Sequence, residues 1–444
     1  MPSRFRSGEP GTPALRLIGI VLLALPWLVP VDFVVVGGPA AAAYMVGMAT
    51  GCLVVAFSPR NGDNRWQLLA ILFVFAVFSS VAGPAGLAGS LVLGARIATG
   101  FALALLLRRP AIWVWTVLIA DVLTLAVDYV TNGYVYLEAL GVLRFPMQIG
   151  GELRPRGFIG QPVPAAMLAM ACAMYLVVVA AHERRTRGGL IALALAAAAM
   201  LLSGTRSSMI VLGLVLILFG VRQLARGRIT AGRLVQFFLI GIPITALVYW
   251  IVPMTPLYRR ADLLTSDSYL VRSSGLETLQ GLPNDCPPCI FIGHGYGSLQ
   301  RMLAEGYAAS GVNTVDNQFL TAYWDFGMLG VLALLVLIVW SFLTVIRASS
   351  GRRAAAAAAI VILLAAGLFY DVLWSLHGAM LLGFFLSLTS RAGNLLPGNF
   401  NHSPTAHTKS NRALGRRILL EAGSSRRRSH LKYRPRRVLQ GSGM

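Results

Sequence analysis

The stretch VDNQFLTAYWDFGMLGVLALLVLIVWSFLTVIR, residues 315–347, decides the fold. A polar entry, Asp316-Asn317, gives way to a run over 318–346 that is long and apolar enough to cross a hydrocarbon core about 30 Å thick as a helix. Working outward, the stretch is preceded by the longest polar interruption in the chain, from about 253 to 317, which contains GHGYGS at 293–298. Similar apolar runs recur on both sides of it.

Composition agrees with that reading. Hydrophobic residues make up 56% and charged residues 12% of the 444, and mean hydropathy is +0.70. A soluble globule carries about a quarter charged residues, so that class is excluded. The expected fold is all-α, a polytopic membrane protein with spans near 15–31, 39–57, 66–82, 86–107, 111–130, 161–181, 188–204, 207–221, 235–252, 318–346, 354–371 and 375–390. The first resembles a signal peptide, with Arg4, Arg6 and Arg16 before an apolar run. The further apolar segments favour an uncleaved span.

A net charge of +21 would suggest nucleic acid in a soluble protein, but here the placement of the charges points to a membrane. With the N-terminus inside, the outer segments hold Arg144, Arg154, Arg156, Arg206, Arg259, Arg260, Arg272 and Arg301, and Arg96 lies within a span. The other 29 of the 38 lysines and arginines fall in inside segments. That asymmetry is the positive-inside rule, and it puts both termini in the cytoplasm. Residues 1–390 are expected to form the membrane domain. Residues 391–444, with SSRRRSH and KYRPRR, are expected to be a disordered basic tail on anionic lipid.

Polar residues collect on the outer side, in the loops 131–160 and 253–317 and in the short turns around 203–207 and 371–377. A transporter is expected to place them near the midplane. Arginine dominates this face, and its planar fork of donors suits phosphate oxygens. Arg96 inside a span is costly; it serves either an anionic substrate or a structural pairing with Asp121 or Asp128. Arg154 and Arg156 lie in RPRGFIGQP (154–162), a shaped turn leading into a span, and docking and a plain solvated loop both fit. Arg206 in SGTRSS (203–208) fits an anion site at a helix start, against capping by Ser203 or Ser207.

The large loop adds Arg259, Arg260 and Arg272, then CPPC at 286–289. On the outer side Cys286 and Cys289 are expected to pair as a disulfide, and with only His294 nearby no metal site is expected. His294, flanked by glycines, is a base or a packing residue. Asp316 and Asn317 either act in the site or cap the next helix.

Four stretches carry a resemblance to the bacterial O-antigen ligases and related polysaccharide polymerases: RPRGFIGQP, SGTRSS, Arg272 through GHGYGS, and DNQFLTAYWDFGMLG (316–330). The resemblance implies a GT-C-like architecture in the bacterial inner membrane, with the active face outside. It implies metal-independent, inverting transfer of a glycan from an undecaprenyl-pyrophosphate donor to a lipid A core or a growing polysaccharide, beside export or flippase components and without a cofactor. The pyrophosphate would be held by Arg96, Arg206 and Arg272, assisted by Arg154 or Arg156, with Arg259 and Asn317 also toward substrate. The family's histidine is Asp316 here, so the base is Asp316 or His294. A lipid-linked oligosaccharide flippase and a non-catalytic assembly factor are the readings from other classes.

Reporter fusions test the topology. A fusion at Gly281 should report the outer compartment and one after Ser410 the cytoplasm; a cytoplasmic signal at Gly281 would remove the site from the outer face.

Overall fold

A computed structural model of the chain describes residues 13–30, 39–57, 84–140, 148–149, 152–183, 185–205, 286–305, 315, 317–373 and 375–391, with isolated helical positions at 211, 213, 217 and 220. The expected spans at 66–82 and 235–252, most of 207–221, and the tail from 392 lie outside these residues.

The described chain is helical except for one antiparallel pair of two-residue strands, β1 (Gln148–Ile149) and β2 (Glu152–Leu153). Its helices are α1 (Pro13–Ala24), α2 (Pro39–Phe57), α3 (Pro84–Leu106), α4 (Pro110–Thr131), α5 (Val135–Ala139), α6 (Pro162–His182), α7 (Thr186–Ser203), α8 (Cys289–Ile292), α9 (Ser298–Ala304), α10 (Gln318–Arg347), α11 (Gly351–Ala366) and α12 (Leu376–Arg391). Four are long and apolar enough to cross a membrane: α3 from Gly89, α4, α6 and α10. This is an α-helical membrane protein. The span expected at 15–31 is interrupted: α1 stops at Ala24 and a 3-10 turn, Leu25–Leu28, follows around Pro26. Proline cannot supply the amide that a continuing helix needs.

α6 is the buried axis. Pro162 sits at its first turn, where a missing N–H costs nothing, and 94% of its membrane-length window is inside the protein. It packs against α4, α7 and α11. Small residues permit this approach: Ala354 through Ala359 of α11 are all fully buried, and on α7 the buried positions Ala192, Ala196 and Ala199 recur at helical spacing. α12 lies closely along α3, where a Cβ at Gly383 would meet the Ile97 carbonyl.

α10 is not one helix. Gly327 has φ 64° and ψ −161°, which breaks it. The part before the break is buried at Thr321, Ala322, Trp324, Asp325 and Phe326. The part after it runs about 20 residues, about 30 Å at helical rise, which matches a hydrocarbon core. Leu332, Leu335, Val336 and Val339 are exposed along it, as lipid-facing residues are. The 318–346 segment is therefore a buried entry helix followed by a membrane-length one.

The break depends on glycine. The backbone region of Gly327 is essentially closed to other residues, and an added Cβ would land on the Phe291 carbonyl. Gly327→Ala should lower stability by at least about 2 kcal/mol, seen as a lower unfolding midpoint in detergent. Gly188→Ala, in a helix with open space around it, should leave the midpoint unchanged or raise it.

Candidate functional site

A helix break orphans the carbonyls whose partners would have lain one turn on. At Gly327 these belong to Trp324 and Asp325, and the GHGYGS loop fills them: His294 N donates to Trp324 O at 2.9 Å, and Gly295 N to Asp325 O at 2.9 Å. The approach is so close that a Cβ on Gly293, itself at φ 77°, would overlap the Asp325 backbone. Glycine at 293 and at 327 is thus one requirement seen from two sides.

The Asp325 side chain completes the joint. It is fully buried, and its carboxylate accepts from Gly297 N at 2.6 Å, Ser298 Oγ at 2.9 Å and Leu299 N at 3.1 Å. Two of these donors are backbone amides at the start of α9, where a negative charge is also favoured by the helix dipole. Beneath the loop, Leu299, Leu303, Val315 and Trp324 form a small core of their own. Cys286 and Cys289 are joined as a disulfide at the start of α8, with Cα atoms 5.3 Å apart.

His294 is held by this joint. Its ring stacks on Trp324 with centroids 4.2 Å apart and planes at 12°. Nδ1 lies 3.3 Å from Trp324 O, and Nε2 is buried with no hydrogen-bond partner among the described residues. One ring nitrogen is thus oriented and the other is left for a proton.

The entry helix begins at Asn317. Its Oδ1 accepts from Phe319 N at 2.9 Å and Leu320 N at 3.3 Å, so of the two capping candidates Asn317 fills the role. Gln318 N donates to Gly367 O, and Gln318 Oε1 accepts from Leu373 N, both at 2.7 Å. Thr321 Oγ1 donates to the Asp371 carboxylate, 2.9 Å from each oxygen. The turn between α11 and α12 is thereby fixed to α10, and Tyr370 carries the connection on by donating its hydroxyl proton to Gln161 Oε1.

Gln161 ends the RPRGFIGQP loop, which is pinned in turn to α4. Asp128 Oδ2 accepts from Arg156 N at 3.1 Å and Gly157 N at 2.8 Å, and Thr124 Oγ1 accepts from Phe158 N at 3.0 Å. Arg154 and Arg156 are each only 8% exposed. Arg154 Nε donates to Ser203 O at 2.8 Å, and the Arg156 guanidinium lies 4.9 Å over the Tyr134 ring. Both arginines therefore make structural contacts here, and Arg154 joins its loop to the SGT turn. That turn ends α7 through Gly204 in the left-handed region, and the Ser203 hydroxyl turns back to the Met200 carbonyl.

Arg96, half-buried on α3, lies within electrostatic reach of His377. It is not paired with the acids weighed for it. Neither Asp121 carboxylate oxygen has a hydrogen-bond partner among the described residues, and Asp128 serves the loop amides. Arg206, Arg259, Arg272 and Asp316 lie outside the described residues. Of two acids that matter, Asp325 was not singled out by the sequence, and Asp371 entered only as the start of the 371–377 turn. Asp325 had one signal, its place just before Gly-x-x-Gly.

No family model and no curated protein matches this chain.

Asp325→Asn should loosen the loop. Weakening bonds to a charged acceptor costs about 1.5–3 kcal/mol, or about 10- to 100-fold in the population of an opened loop. Peptide-resolved labelling with diethyl pyrocarbonate should then modify His294 faster by at least about tenfold than in the unaltered protein.

Proposed function

We propose that this protein is a glycosyltransferase of the O-antigen ligase or polysaccharide polymerase type. It moves a glycan from an undecaprenyl-pyrophosphate carrier to a lipid A core or a growing polysaccharide at the outer face of the bacterial inner membrane. The full chain crosses that membrane twelve times in a GT-C-like arrangement, with both termini in the cytoplasm. The observation that carries this reading is the joint between GHGYGS and WDFG, which holds His294, whose Nε2 has no hydrogen-bond partner among the described residues, against Trp324 of the short helix that Asn317 caps, a helix that starts just after Asp316.

Arg154 with Ser203, Asp128 with Gly157, Gln161 with Tyr370, and Thr321 with Asp371 all join segments assigned to the outside by charge. Arg16, which binds the Leu106 carbonyl at 2.7 Å, joins segments assigned to the inside.

In the mechanism, Asp316 or His294 takes the proton of the acceptor hydroxyl as its oxygen attacks the anomeric carbon from the face opposite the leaving group. The bond to the pyrophosphate oxygen breaks, and Arg272, Arg206 and Arg96 meet the negative charge that develops there. Arg154 and Arg156 hold the neighbouring loop in shape.

Purified full-length protein given lipid-linked oligosaccharide, with and without lipid A core, should form new glycosidic bonds. Arg272→Lys keeps charge but loses the fork, and should lower turnover about 100- to 1000-fold with little change in donor binding. Asp316→Asn and His294→Ala identify the base by which one abolishes product. Movement of the donor across a bilayer without any new bond would overturn the reading in favour of a transporter, and Asp316→Asn, His294→Ala and Arg272→Lys all being silent would overturn the glycosyltransferase reading itself.

A further inference from the structure

The connection between α3 and α4 carries a second cationic feature. α3 ends at Leu106 and α4 begins at Pro110, so Leu107, Arg108 and Arg109 form the whole connection between two helices long enough to span a membrane. A groove of about 420 Å³ opens there, lined by Leu107, Arg108, Arg109, Ile112, Trp113 and Thr116. Both arginines are exposed, and Ile112 is 57% exposed.

The lining is divided. Arg108 and Arg109 provide a cationic lip at the helix end, and Leu107, Ile112 and Trp113 provide an apolar wall continuous with the membrane-length part of α4. The Trp113 ring is held edge-on by Trp27 at 5.8 Å, and its indole N–H is buried with no hydrogen-bond partner among the described residues. Thr116 is already used, its hydroxyl donating to Ile112 O at 3.1 Å. Arg16 fixes the end of α3 through Leu106 O and adds a third positive charge beside the groove.

We propose that this groove binds the headgroup of an anionic phospholipid, the phosphate on the Arg108–Arg109 lip and the start of the acyl chains along Leu107, Ile112 and Trp113. Two exposed guanidiniums at a helix end suit a phosphate. A soluble anion would leave the apolar wall facing water, whereas a lipid covers both halves at once. The arginine distribution assigns this end to the cytoplasmic leaflet, whose anionic lipids attract such basic positions. None of these residues belongs to the glycan-transfer reading, so the two stand or fall separately.

Native mass spectrometry of delipidated full-length protein, titrated with phosphatidylglycerol or phosphatidylcholine, tests this. The unaltered protein should retain one phosphatidylglycerol in preference to phosphatidylcholine. Arg108→Gln with Arg109→Gln should weaken that binding about 30-fold, from about fivefold per charge. The double lysine variant, which keeps the charge, should retain most of it and controls for folding. Equal binding of the two lipids, or undiminished binding by the double glutamine variant, would overturn the proposal. Displacement of the lipid by millimolar inorganic phosphate would also overturn it, marking a site for free anions.

Discussion

A single buried carboxylate and a broken helix organise the described part of this protein. Without the break at Gly327, α10 would run about 45 Å at helical rise, longer than a hydrocarbon core. With it, a membrane-length helix is separated from a short entry helix that stays inside the protein. The break exposes the Trp324 and Asp325 carbonyls, and the loop at 293–299 is the only described segment whose amides answer them. Asp325 contributes from both backbone and side chain, so loop and helix are fixed as one piece.

From that piece the hydrogen bonds run on without a gap. Asn317 starts the entry helix, Gln318 and Thr321 tie it to the turn before α12, Tyr370 ties that turn to Gln161, and Asp128 and Arg154 tie the 154–161 loop to α4 and to the end of α7. Segments far apart in sequence thus meet as one polar layer, most of whose bonds involve a backbone group. Backbone partners fix loops more firmly than paired long side chains do, because less rotamer freedom is lost. The glycan transfer proposed above would need that kind of preset geometry.

Much of the helical frame was legible in the sequence, because apolar length is a local property. Helices occupy 39–57, 84–106, 110–131, 162–182, 186–203, 351–366 and 376–391 within a few residues of the expected spans. The break in α10 was not legible. A glycine within an apolar run is compatible with a continuous helix, and the donors that stabilise this break lie about 30 residues earlier in the chain. The roles of the arginines were hidden for a related reason: RPRG reads equally well as a docking loop or a solvated one. What decides is Asp128, on another helix, which draws the loop's amides inward and carries Arg154 and Arg156 into burial. Asp316 and Asn317 read alike as caps, and only the position where the helix begins chose Asn317.

The account's central claim is that Asp325 holds the 293–299 loop onto the broken helix. Hydrogen–deuterium exchange at the Gly297 and Leu299 amides measures it most directly. Both should be protected in the unaltered protein and exchange about 10- to 100-fold faster in Asp325→Asn, with the amides of α6 unchanged. Equal exchange at those two amides in both proteins would contradict the account.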